Sequence, residues 1–128
     1  MDHQKDLERE NAIPIDLVIT GLYPFKEVIK NPETNIEIAR GNIDVGGPSM
    51  LRAAGKNWHR VSTLVNPGKI EYEALIKHLW ENNGCTTLEF RFNNWRKIFR
   101  TLSDYDKQIS LYAETADFEE VKKIYKIH

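Results

Sequence analysis

Apolar residues recur along this chain with a period that changes from segment to segment. Residues 13–20 are short, β-branched and apolar, which predicts a buried strand. The following Gly21-Leu22-Tyr23-Pro24-Phe25 reads as a loop, because Pro24 stops further strand pairing. A second buried strand is expected over residues 60–65, closed by the turn Asn66-Pro67-Gly68. Between the strands, residues 26–29 suggest a short helix. Thr34 and Glu37 stand at capping-box spacing for a helix that stops near Gly41, and residues 48–56 suggest another. From 71 to 82 the apolar positions Tyr72, Leu75, Ile76 and Leu79 repeat at helical spacing, with Gly84 as the stop. Beyond Thr86 the chain reads as helical to its end, with Leu88, Phe92, Trp95, Phe99 and Leu102 as the inward face. Residues 1–11 are polar and suggest a frayed helix. Strands alternating with helices predict an α/β domain. A sheet of two strands is marginal alone, so another copy or another chain is expected to extend it.

Composition narrows the function classes. The 128 residues carry a net charge of −1, with eighteen basic residues among nineteen acidic ones, so no nucleic-acid surface is expected. Cys85 is the sole cysteine, which excludes an internal disulfide and suits a reducing cytosol. The histidines His3, His59, His78 and His128 are scattered, and no Cys or His pair has zinc-site spacing. No metal site is expected, and His78 reads as a surface residue. The apolar runs are too short to cross a membrane and the N-terminus is charged. The expectation is a single-domain cytoplasmic protein spanning residues 1–128.

Candidate chemistry concentrates in residues 42–57, NIDVGGPSMLRAAGKN. Gly46 and Gly47 permit close backbone approach, and Pro48 suits the first turn of a helix. Free amides at that helix start would offer an anion site. Asp44 precedes the turn, while Lys56 lies farther along the helix, with about 12–14 Å between the helix ends. Contact between Asp44 and Lys56 therefore requires the preceding loop to fold back. The ordinary reading of Tyr23 is a loop anchor, and of Lys56 a surface lysine near a helix end.

The same run is similar to the NIDIGGPxMLRxAAKNH segment of the IMP cyclohydrolase domain in the bifunctional purine-biosynthesis enzymes (AICAR transformylase/IMP cyclohydrolase). Residues 15–25, IDLVITGLYPF, resemble that family's IDLVVVNLYPF at the matching distance upstream. The resemblance runs from about His3 to Tyr112 and covers the second half of the family's cyclohydrolase domain. It implies a partial methylglyoxal-synthase-like, Rossmann-like three-layer fold with few parallel strands. The implied reaction is closure of formyl-AICAR to IMP with loss of water, without cofactor or metal. In this resemblance Tyr23 would contact the formyl group and Asp44 would hold the carboxamide nitrogen and assist its deprotonation. Lys56 would polarise the formyl oxygen or protonate the leaving hydroxyl, and Gly46, Gly47 and Asn57 would contact substrate. The implied partner is a purine nucleotide, formyl-AICAR or IMP.

The departures from the family pattern matter as well. The family's upstream STGGT and KTLHPK segments, which hold the phosphate and supply a further lysine, do not occur here, nor does a transformylase domain. Gly21 stands where the family has Asn, Arg40-Gly41 replace a stretch that includes a glutamate, Trp58 replaces a histidine, and Thr101-Leu102 replace a His-Thr pair. Three readings follow. The first is part of an oligomeric or split cyclohydrolase completed by another chain. The second is a non-catalytic relative that binds a purine nucleotide or a protein partner, and the third is a gene fragment with an exposed sheet edge. The segment 115–128 has no counterpart in the resemblance, and Phe118, Val121 and Ile124 suit it to be an amphipathic cover.

Overall fold

The structure, a computed structural model, describes residues 3–126. Its order is α1 (His3–Arg9), β1 (Leu17–Thr20), α2 (Phe25–Val28), α3 (Ile36–Gly41), α4 (Gly46–Lys56), β2 (Ser62–Val65), α5 (Lys69–Glu81), α6 (Leu88–Thr115) and α7 (Phe118–Ile124). The strands pair in parallel, with Leu17 opposite Ser62 and Thr20 opposite Val65. The α/β class is therefore as the alternating pattern indicated. Parallel neighbours need a long crossover, and α2, α3 and α4 supply it.

The core is small and built in two parts. Leu51 of α4 packs with Ile98 and Leu102 of α6, joined by Leu22 and Val65. Phe25, Ala39 and Tyr105 form the second cluster, in which the Phe25 ring meets Tyr105 and Tyr112 edge-on. The long helix α6 thus ties the crossover to β2.

Several expectations are corrected. The first strand begins at Leu17, not at residue 13, and one face is open: Leu17 and Ile19 are each 38% exposed, while Ile13 reaches 87%. β2, by contrast, is buried at Ser62, Thr63 and Leu64. The α3 cap is Asn35, whose side chain accepts the N–H of Ile38. Thr34 instead donates its hydroxyl to the Val28 carbonyl, and Glu37 turns to Arg40 and Tyr125.

Helix α4 starts two residues before Pro48, so both glycines lie in its first turn. The buried face of α6 is Asn94, Ile98, Leu102 and Tyr105. Of the expected stripe, Leu102 belongs to that face, and the rest lies to one side of it: Leu88 and Phe99 are exposed, and Phe92 and Trp95 are half-buried. Those rings associate with Trp58 and with one another, because mutual stacking shields aromatic surface that no core receives.

On α5 only Leu75 is buried, and Tyr72 and Ile76 are exposed. His78 is half-buried, its ring stacked on Phe90 and its Nε2 accepting the N–H of Thr87, so it stitches α5 to the start of α6. The last helical stretch is broken at Ala116, because Asp117 accepts the N–H of Glu119 and starts α7 afresh. Met1, Asp2, Ile127 and His128, which fall in the expected terminal helices, lie outside the described residues. No described helix is long and apolar enough to cross a membrane.

Candidate functional site

β1 hands its carboxyl end directly to the candidate site. Beyond Thr20 the chain turns at Gly21, and the Leu22 N–H donates to Asn66 Oδ1 at 2.8 Å. Asn66 sits after β2 with φ of +46°, a left-handed conformation that Asn tolerates better than most residues. The turn after one strand therefore fixes the loop after the other. That loop delivers Tyr23, whose N–H donates to Asp44 Oδ2 at 3.2 Å.

Asp44 is the hub. Its Oδ1 accepts the N–H of Gly47 at 2.8 Å, and its own N–H donates to the Tyr105 hydroxyl at 2.8 Å. Two backbone amides thus hold the carboxylate, and each oxygen keeps a free lone pair. The close packing requires glycine at 47: a Cβ there would stand 2.6 Å from Asp44 Oδ2 and 2.8 Å from Leu22 Cδ2. At Gly46 a Cβ would meet nothing within 4 Å, so that backbone is open to an approaching ligand. Burial, the largest influence, and then the nearby Asp44 and Asp106 charges push the Tyr105 phenol above its ordinary range, opposed by its hydrogen bond from the Asp44 backbone.

The expected anion site at the α4 start is corrected by this arrangement. The protein's own Asp44 carboxylate occupies the Gly47 amide, and Pro48 has no N–H to offer. The Tyr23 side chain, 57% exposed, faces a groove of about 600 Å³ also lined by Lys26, Asn66, Thr101, Asp104 and Tyr105.

The structure joins Tyr23, Asp44, Gly46 and Gly47 but leaves Lys56 and Asn57 apart. Those two residues close α4, roughly 15 Å along the axis from Gly46 at 1.5 Å per residue. Asn57 donates its side-chain amide to the Ala53 carbonyl and lines a different, apolar groove of about 420 Å³ with Ile13, Ile15, Val18 and Met50. Trp58 packs on Phe92 and Trp95, away from the Tyr23 groove. Tyr105 and Asn66, which the sequence analysis did not assign to the site, position it. Their signals were the Asn-Pro-Gly turn for Asn66 and, for Tyr105, a place three residues past Leu102 on the α6 core face. Among the described residues no group of three His, Cys, Asp or Glu side chains could hold a metal ion.

Comparison with known proteins places this geometry in a family context. A sequence model of the AICARFT/IMPCHase bienzyme family matches residues 54–128. The match thus includes α7, which the sequence resemblance had left without a counterpart. The bifunctional purine biosynthesis protein PurH of Ligilactobacillus salivarius is 47% identical over 111 residues, covering 87% of this chain and 21% of that protein. PurH of Rippkaea orientalis is 42% identical over 115 residues, covering 90% and 22%. PurH of Listeria monocytogenes is 43% identical over 111 residues, covering 87% and 21%. The chain therefore spans about a fifth of the length of these relatives. Among solved structures, ForH superposes with a TM-score of 0.75 at 28% identity, covering 91% of this chain and 61% of that one.

Proposed function

This chain belongs to the AICARFT/IMPCHase bienzyme family, and from that membership we propose that it contributes to an IMP cyclohydrolase site, closing formyl-AICAR to IMP in a pocket that another chain completes. The observation that carries the reading is the Asp44 carboxylate, held between the N–H groups of Tyr23 and Gly47. That contact brings together two sequence segments, 15–25 and 42–57, that are separate along the chain.

In the proposed reaction the carboxamide nitrogen of the substrate attacks the formyl carbon. A C–N bond forms, the carboxamide nitrogen gives up one proton and the formamide nitrogen the other as its C=N bond forms, and the former formyl oxygen departs as water. The free lone pairs of Asp44 are placed to accept a hydrogen bond from that nitrogen and to assist its deprotonation. Tyr23, with its ring in the groove, contacts the formyl group, while the open backbone at Gly46 lies against the base. Lys56 would stabilise the developing oxyanion or protonate the leaving hydroxyl.

Lys56 stands at the opposite end of α4 from Asp44, which supports a site needing further groups. Among the described residues the groove around Tyr23 has one lining cation, Lys26, and one lining anion, Asp104. A nucleotide phosphate requires several charge-assisted bonds, so its main anchor comes from the complementing chain. The test is a ring-closure assay on formyl-AICAR with the chain alone and mixed with the upstream half of a PurH cyclohydrolase domain. Activity restored by mixing and removed by Asp44→Asn supports the reading; activity insensitive to Asp44 contradicts it.

A further inference from the structure

Basic residues are not spread evenly over this chain. Residues 52–60 and 91–101 hold seven Lys or Arg side chains, Arg96, Lys97 and Arg100 among them, and no acidic residue. The rest of the chain then has eleven basic residues against nineteen acidic ones. The net charge of −1, which argued against a nucleic-acid surface, therefore averages over one strongly basic region. The two segments also meet in space. Helices α4 and α6 pack through Leu51 and Ile98, and Phe99 lies over Gly55, where a Cβ would stand 3.0 Å from the ring.

The same region gathers aromatic rings outside the core. Trp58, Phe92 and Trp95 are half-buried, and their centroids form a triangle with sides of 5.4, 5.7 and 5.7 Å. The Trp95 ring is inclined by 32° to Trp58 and by 26° to Phe92. Rings so arranged are offset from one another, and part of each π-face stays uncovered. Trp58 stands where the family pattern has a histidine, so one ring of the cluster is particular to this chain. The Arg96 guanidinium sits 4.4 Å from the Phe92 centroid, a cation held at the ring. Arg100 follows one turn later on the same side of α6. Among the described residues neither Arg96 nor Arg100 has an ion-pair partner. Two acids bound the region: Glu89, one turn before Phe92, and Asp106, which accepts from Arg52 at 2.6 Å.

We propose that this face binds single-stranded nucleic acid, with bases stacked on Trp58, Phe92 and Trp95 and phosphates paired with Arg96 and Arg100. That ligand uses both halves of the surface, because every base offers a π-face and every nucleotide a phosphate. From Phe92 to Arg100 the helix advances about 12 Å at 1.5 Å per residue, the length of roughly three stacked bases at 3.4 Å each. A duplex keeps its base faces within its own stack and would engage the cations alone. An acidic peptide would likewise pair with Arg96 and Arg100 and leave the rings unused. The cluster lies at the end of α4 away from Asp44, so the inference does not rest on the cyclohydrolase reading.

The test titrates a labelled oligothymidylate with the full chain and follows its fluorescence anisotropy together with the quenching of tryptophan emission. Trp80→Phe removes the exposed third tryptophan, so that the emission comes from Trp58 and Trp95. The proposal expects saturable binding with quenching. The logarithm of the affinity should fall with the logarithm of salt at a slope of about −1.4, as two neutralised phosphates give on a single strand. Trp95→Leu should weaken binding about fivefold or more, the loss of one stacked base. Arg96→Gln combined with Arg100→Gln, both at exposed positions, should flatten the salt slope toward zero. Urea unfolding shows whether each variant is folded; if Trp95→Leu is not, the quenching and the arginine pair still decide the question. Absence of binding, or binding without quenching, would overturn the proposal. So would displacement of the oligonucleotide with equal strength by a duplex of the same length, by polyglutamate or by phosphatidylserine vesicles.

Discussion

The Tyr105 hydroxyl accepts the backbone N–H of Asp44 at 2.8 Å across 61 residues of sequence. This bond fixes the segment leading into α4 against α6, and it sets the height at which the Asp44 carboxylate meets Tyr23 and Gly47. Tyr105→Phe keeps the ring in the Phe25 cluster but leaves that partly buried N–H without its acceptor. The expected cost is about 1–3 kcal/mol, read as a lower urea midpoint with an unchanged slope. No loss of stability would show that the Asp44 segment is held by other contacts.

The two glycines of the motif should respond oppositely. Gly47→Ala forces a methyl into the Asp44 carboxylate and Leu22, an overpacking expected to cost about 1–3 kcal/mol. Gly46→Ala meets open space and sits in the first turn of α4, so its stability should stay within about 0.5 kcal/mol of the parent. Urea unfolding of both variants checks the contrast, and equal effects would count against the geometry around Asp44.

Leu51 is fully buried between α4 and α6. Leu51→Ala should therefore cost about 2–5 kcal/mol, a large share of what a small domain possesses. Trp80 is 83% exposed, and Trp80→Ala should leave the unfolding midpoint nearly unchanged. Thermal unfolding of the two variants side by side tests where the core lies.

Helix α7 is fastened to α3 by Tyr125, whose hydroxyl donates to Glu37, while Arg40 donates to both the Glu37 carboxylate and the Tyr125 oxygen. Arg40 first and Tyr125 second hold the Glu37 carboxyl down to about 2. Because its folded value is depressed, the contribution is present above the ordinary carboxylate range near 4.5 and is lost as pH falls through about 2. Amide exchange in α7 should therefore stay constant from pH 7 to 5 after correction for intrinsic rates, and rise toward pH 2. Tyr125→Phe should show the raised exchange at every pH; a Tyr125→Phe profile matching the parent would remove the clasp.

Much of this architecture was legible in the sequence, for reasons visible at single positions. The apolar, β-branched run at 13–20 and the Asn-Pro-Gly turn after Val65 located both strands, since these signals are local, although the first strand starts only at Leu17. Pro24 and the Gly-Gly-Pro run located the loop and the helix that meet at Asp44. The α6 inward face was placed correctly at Leu102 but misplaced at Phe92, Trp95 and Phe99, which have helical spacing yet pack on Trp58 and on one another. Apolar period alone does not say which side of an amphipathic helix meets the core. The Asn35 cap was missed because Thr34 and Glu37 mimic a capping box one residue away. Nothing local in the chain could show that Tyr105 reaches Asp44, because that bond depends on how α6 lies across the crossover.

The most direct test of the central claim is a calorimetric titration with IMP, comparing the parent chain with Asp44→Asn, each mixed with the upstream half of a PurH cyclohydrolase domain. Asp44→Asn leaves one acceptor oxygen where Tyr23 and Gly47 now have two, and it removes the carboxylate that would bind the substrate amide. The account predicts saturable binding by the parent mixture and at least tenfold weaker binding by the variant. Binding of equal strength in both, with both proteins folded, would contradict it and move any nucleotide site away from the start of α4.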